Sequence, residues 1–72
     1  VIESLEKDTA LMDIITISKA LNINIDSLST KYKNNKTIYN IIVLVEDINK
    51  LEKFINEVYK LDYIEKIERL IN

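Results

Sequence analysis

Residues 22–46 read NINIDSLSTKYKNNKTIYNIIVLVE, and their periods alone predict two strands joined by a turn. Ile23 and Ile25 alternate with Asn24 and Asp26, after which the phase slips by one residue to Leu28, Thr30 and Tyr32. Such a slip predicts a β-bulge, because one extra residue on a strand reverses the face that each later side chain occupies. Asn34-Asn35-Lys36 breaks the pattern, and since asparagine tolerates positive φ, a hairpin is predicted there without glycine. The strand that follows, residues 37–46, is rich in β-branched side chains. One of its faces is apolar throughout (Tyr39, Ile41, Val43, Val45) and is expected to meet the rest of the fold. The other carries Ile38, Asn40, Ile42, Leu44 and Glu46. Apolar residues left on an open face mark an interaction surface, so Ile38, Ile42 and Leu44 are the candidate interface for self-association or docking. Chance apolarity in an isoleucine-rich chain is the other reading.

Working outward, residues 1–5 form a short apolar stretch read as a strand, and residues 6–9 are polar, with Asp8 or Thr9 placed to cap a helix. Ala10, Leu11, Ile14, Ile15, Ile17 and Leu21 have the spacing of a broad helical stripe. Downstream, Asp47 is expected to cap a second helix whose apolar positions are Ile48, Leu51, Phe54, Ile55, Val58 and Leu61. After a turn at Asp62, residues 63–71 are read as a final edge strand. The order is βαββαβ. Two right-handed strand–helix–strand crossovers around a hairpin give an α+β, ferredoxin-like plait, a four-stranded antiparallel sheet with both helices on one face. The first and third strands are then central, and the opposite sheet face is uncovered.

The 72 residues are expected to be a single domain, and they contain no Gly, Pro, His, Cys or Trp. Without Cys there is no disulfide, and a zinc site would rest on carboxylates alone. Without His or Cys the usual general base and thiol nucleophile are missing, and without Gly no phosphate-cradling loop of the GxGxxG or Walker type exists. No catalytic residue, metal site or cofactor is therefore assigned. The longest apolar run, residues 41–45, is far short of the ~20 residues of a membrane span, so a cytoplasmic location with no membrane partner is expected. The chain opens at Val1-Ile2-Glu3, without Met and already inside an apolar segment, and is read as a C-terminal piece of a longer protein.

Glu6-Lys7-Asp8-Thr9-Ala10-Leu11-Met12-Asp13-Ile14 resembles the signature of the ACT domain: an acidic–basic pair, a turn, two apolar residues, a variable position and Asp-Ile. Leu21-Asn22-Ile23-Asn24-Ile25 is similar to that family's entry to strand two, and Val45-Glu46-Asp47 with Leu51 to its exit from strand three. Ile64-Glu65-Lys66-Ile67-Glu68-Arg69 resembles its closing pattern, so the likeness spans essentially the whole chain. Among ACT domains, Asp13-Ile14-Ile15-Thr16 and the segments just named most resemble the one that ends RelA/SpoT-type (p)ppGpp synthetase/hydrolases, the GTP pyrophosphokinases of the bacterial stringent response. The resemblance implies a regulatory module, not itself an enzyme. It would relay an amino-acid effector, or ribosome and tRNA contact made through the parent protein, to catalytic domains upstream. It also implies homodimerisation or docking to those domains. The alternative is an amino-acid-binding ACT domain of a biosynthetic enzyme, or a stand-alone ACT protein.

By family position the effector pocket lies between the first strand–helix loop of one domain and the start of strand two of a neighbour, which places it here at Glu6, Lys7, Asp8, Thr9, Asn22 and Asn24. The family usually has Gly where Thr9 stands, so the competing reading is a capping residue in a solvated turn. Lys31, Tyr32, Lys33 and Lys36 offer cations and an aromatic to RNA. With a net charge of −2 and no glycine-bearing RNA-recognition motif, a solvated edge that resists aggregation is the favoured reading. Asp8, Asp13, Glu6 and Glu3 lack a spacing that suits a metal. An acylphosphatase would need an arginine in the first loop, and Arg69 is the only arginine.

Overall fold

The computed structural model describes residues 1–6 and 8–69. Its elements follow in the order β1 (Ile2–Leu5), α1 (Ala10–Ala20), β2 (Asn24–Lys33), β3 (Lys36–Leu44), α2 (Ile48–Tyr59) and β4 (Ile64–Ile67). All four strands pair antiparallel in one sheet of order β2-β3-β1-β4. β3 and β1 are therefore central, β2 and β4 are edges, and the architecture is the ferredoxin-like plait expected of the βαββαβ order.

The hairpin and the bulge both fall where the periods place them. Asn34 (φ 50°) and Asn35 (φ 64°) occupy the two central turn positions, between the directly paired Lys33 and Lys36. Two successive positive φ values are the mark of a type I′ turn, whose twist matches that of the strands it joins. Only glycine and short polar side chains adopt them cheaply, so Asn35→Val is expected to cost about 1–2 kcal/mol while Asn35→Gly costs nothing; urea denaturation of the pair checks this. On β2 the register passes from Ile25↔Val43 directly to Ser27↔Ile42, which leaves Asp26 as the extra residue.

Helix ends account for most differences from the expected boundaries. At the end of α1 the Ile23 N–H donates to the Ser18 carbonyl at 2.8 Å and the Asn22 N–H to Lys19 at 3.1 Å. With Asn22 at φ 56° this is a Schellman closure, which satisfies carbonyls the helix leaves open. Asn22 and Ile23 are thus consumed by the helix terminus, and β2 starts at Asn24 instead of residue 22. At the other end, Thr9 already has helical angles (φ −94°, ψ −1°) and caps no amide. Its hydroxyl runs forward along the helix and donates to Asp13 Oδ2 at 3.2 Å, so the expected cap by Asp8 or Thr9 does not form. Asp47, by contrast, is extended (φ −149°, ψ 162°) and accepts from the Lys50 N–H at 3.0 Å, a contact worth roughly 0.5–2 kcal/mol. α2 ends at Tyr59, short of Leu61, which still packs against the core. β4 closes at Ile67; Leu70 and Ile71, assigned to the last strand from sequence, lie outside the described residues.

The core consists of Ile2, Ala10, Ile14, Ile23, Tyr39, Phe54, Val58 and Tyr63, with Ile14 and Val58 wholly inaccessible. β3 contributes through its odd-numbered side: Thr37 and Tyr39 are buried and Ile41, Val43 and Val45 pack behind them. Ser4 and Ser18 are buried at core positions and donate to the carbonyls of Leu5 and Ile15, both at 2.7 Å. Their hydroxyls are thereby satisfied within their own elements.

Candidate functional site

The six residues expected to hold an effector do not meet within one chain. Glu6, Asp8 and Thr9 are exposed in the loop between β1 and α1, and Lys7 lies outside the described residues. Leu5, just before that loop, pairs with Lys36 at the start of β3, whereas Asn24 pairs with Leu44 at its end. The two groups are therefore separated by the nine residues of β3, about 27 Å. A pocket using both sets needs two domains.

At the far end, Asn22, Asn24, Leu44, Val45, Glu46 and Lys50 line a shallow cleft of about 190 Å³. The Lys50 ammonium reaches over it and donates to the Asn22 carbonyl at 3.4 Å. Asn22 thus serves the cleft and the helix terminus together, its backbone turned by the Schellman closure and its side chain exposed.

A link that sequence reasoning missed joins the β1–α1 loop to the entry of the last strand. The Tyr63 hydroxyl donates to Asp13 Oδ2 at 2.5 Å, the same carboxylate oxygen that receives the Thr9 hydroxyl. Burial of Tyr63, 8% exposed, pushes its phenol well above the usual tyrosine range, and the hydrogen bond to Asp13 adds to the shift. Asp13 from α1, Thr9 from the loop and Tyr63 from the entry to β4 form one hydrogen-bonded unit. From sequence, Asp13 offered only its place near the helix N-terminus. Nothing in the spacing pairs it with a tyrosine 50 residues away.

The sheet face away from the helices carries the candidate interface. Ile42 is 58% and Leu44 61% exposed, while Ile38 is half-buried among its neighbours. A second shallow cleft, of about 260 Å³, is lined by Glu3, Lys33, Asn34, Lys36 and Ile38. Lys36 is paired to Glu65 at 2.7 Å, which holds its ammonium above the usual lysine range. Register separates Tyr32 from these lysines: it pairs with buried Thr37 on the helix side, whereas Lys31 pairs with Ile38 and Lys33 with Lys36 on the open side. The aromatic and the cations grouped together from sequence thus sit on opposite faces. At the far edge of the sheet the Tyr59 hydroxyl accepts from the Ile67 N–H at 2.9 Å.

Among the described residues no helix is long and apolar enough to cross a membrane, and no three acidic side chains converge as a metal site. Comparison with curated proteins and with solved structures returns no match. The ACT domain family matches residues 1–69, a range that takes in the β1–α1 loop, the helix carrying Asp13, the bulged hairpin and β4, and the chain belongs to that family.

Proposed function

We propose that this domain is the regulatory ACT module of a RelA/SpoT-type (p)ppGpp synthetase/hydrolase, relaying effector or ribosome and tRNA state to catalytic domains of the same protein. ACT domains are regulatory and not catalytic. The observation that carries the reading is the division of the candidate effector residues between opposite ends of the sheet. Because Glu6, Asp8 and Thr9 meet Asn22 and Asn24 only across two domains, ligand state is coupled to association, and association is what a relay needs. The (p)ppGpp assignment is supported by Asp13-Ile14-Ile15-Thr16 and by the matched family, which occurs in such enzymes.

Two measurements test it. The chain of 72 residues is expected neither to make nor to hydrolyse (p)ppGpp; in the full-length parent, deleting residues 1–69 is expected to change the balance between the two reactions. A parent without either activity overturns the assignment.

The second reading, an amino-acid-binding domain of a biosynthetic enzyme or a stand-alone ACT protein, has the Asn22–Asn24 cleft in its favour, since the Lys50 ammonium there suits a carboxylate. Against it stands Thr9, whose branched side chain occupies the loop where a ligand approaches the backbone. Titration with a panel of amino acids, followed by backbone amide shifts, separates the two. In the (p)ppGpp reading the signal carried by association is ribosome or tRNA state and not a free amino acid, so no amino acid is expected to shift residues 7–11 or 22–25; localised shifts there support the second.

A further inference from the structure

The loop between β1 and α1, residues 6–9, has both of its stems tied to Tyr63. On the near stem the Leu5 N–H donates to the Tyr63 carbonyl at 2.8 Å. On the far stem the Tyr63 hydroxyl donates to Asp13 Oδ2. Asp13 is joined to the loop twice, donating its N–H to the Thr9 carbonyl at 2.9 Å and accepting the Thr9 hydroxyl on its carboxylate. Tyr63 thus reaches one stem with its backbone and the other with its side chain. The register of β1 and β4 makes this possible. It passes from Glu3↔Lys66 to Ser4↔Ile64, which leaves Glu65 as the extra residue and brings the residue before Ile64 opposite Leu5.

Tyr63 itself belongs to a different part of the fold, the turn between α2 and β4. That turn is lightly held: the Ile64 N–H reaches the Leu61 carbonyl at 3.3 Å, and β4 is only four residues long. Short terminal elements of this kind open locally, at a fraction of the cost of global unfolding. The Tyr63 ring is 8% exposed, and a buried hydroxyl that loses a charged acceptor bears a desolvation penalty unless its ring leaves the site. The junction therefore has two arrangements, Tyr63 seated with both stems held, or unseated with both released. We propose that Tyr63 is a latch coupling the β1–α1 loop to the α2–β4 turn, so that whatever engages Glu6, Asp8 and Thr9 is reported at the start of β4, and a pull on β4 is felt in the loop. The inference rests on the reading above that the signal arrives at this loop, and it adds the route by which the signal leaves. Such coupling is reciprocal, which separates a latch from a contact that only adds stability.

The test is amide hydrogen exchange, followed by NMR, in the chain of 72 residues. Tyr63→Phe is expected to speed exchange of the Leu5 and Asp13 N–H groups by about tenfold or more, the scale of a lost hydrogen bond to a charged acceptor. In the reverse direction, Asp13→Ala is expected to speed the Ile64 N–H by a similar factor, and Thr9→Val, which alters only the loop, by about threefold. The Lys50 N–H, capped by Asp47 at the other end of α2, is the internal standard and should change less than these. Phe54→Leu, a core change in the middle of α2, supplies the pattern of a purely global loss, with no excess at Leu5 or Ile64. Far-UV circular dichroism confirms that each variant folds. If Tyr63→Phe raises Leu5 and Lys50 equally, Tyr63 only adds stability and the latch is wrong. If Thr9→Val leaves Ile64 unchanged, the loop is not coupled to β4 and the proposal fails even where Asp13→Ala has an effect. These rates are independent of the parent's chemistry: a parent without (p)ppGpp activity removes the regulatory assignment above and leaves the latch standing.

Discussion

Ile14→Ala is expected to remove a large part of the stability of this domain. Ile14 is 0% exposed and sits with Val58, Phe54 and Tyr39 where α1 and α2 meet the sheet. Truncating a fully buried isoleucine to alanine costs roughly 2–5 kcal/mol, through the lost transfer energy together with the cavity left behind. A chain of 72 residues has a total stability of only about 4–11 kcal/mol, taking roughly 0.05–0.15 kcal/mol per residue. The loss is thus a sizeable fraction of the whole, and the urea midpoint should fall by on the order of 1 M or more. Ile42→Ala supplies the contrast. At 58% exposed it should leave the monomer within about 0.5 kcal/mol of wild type. Equal effects at the two positions would mean that the open face is not open.

Tyr63→Phe should cost about 1.5–3 kcal/mol, the scale of a hydrogen bond to a charged acceptor, because the buried Tyr63 hydroxyl donates to the Asp13 carboxylate. Thr9→Val should cost less, since its hydroxyl reaches the same oxygen from an exposed position at 3.2 Å. A double-mutant cycle with Asp13→Asn isolates the coupling; a coupling near zero would show that the two side chains act independently. The hydrogen bond also carries a pH signature. Burial, and then Asp13, raise the folded phenol above an unfolded tyrosine, which ionises near 10. The stability tied to this group is therefore whole below about pH 10 and is lost as pH climbs through the folded value. Burial raises Tyr39 in the same direction, so Tyr63→Phe is expected to flatten the alkaline loss of stability without abolishing it. An unchanged slope between pH 9 and 11 would count against the role given to Tyr63.

What could be read from the sequence follows the range of the forces involved. The slip from Ile25 to Leu28, the Asn34-Asn35 turn and the Asp47 cap are local, each fixed by residues within a few positions, and all three appear in the structure. The two faces of β3 were separable because a strand repeats every two residues and burial acts on one side only. Thr9 escaped prediction because two partners compete for its hydroxyl, the free amides of its own helix and the Asp13 side chain, and backbone angles decide between them. Asn22 was misplaced for a related reason, since a residue between a helix and a strand belongs to whichever terminus needs its φ. Tyr63 and Asp13 are joined only by tertiary packing. Likewise, the distance between the loop at Thr9 and the cleft at Asn24 depends on strand order, which no local pattern states.

The Tyr59 hydroxyl that receives the Ile67 amide bears on how far such a sheet can grow. Val1 and Glu68 exchange both backbone hydrogen bonds across β1 and β4, which turns the Ile67 N–H outward, toward the side a further strand would approach. Tyr59 fills that position on a strand only four residues long. The opposite edge, β2, runs for ten residues without such a stopper among the described residues. It carries instead the exposed charges of Lys31 and Lys33 and the bulge at Asp26, so the two edges resist strand addition by different means, an acceptor from the chain's own helix on one and charge with a bulge on the other.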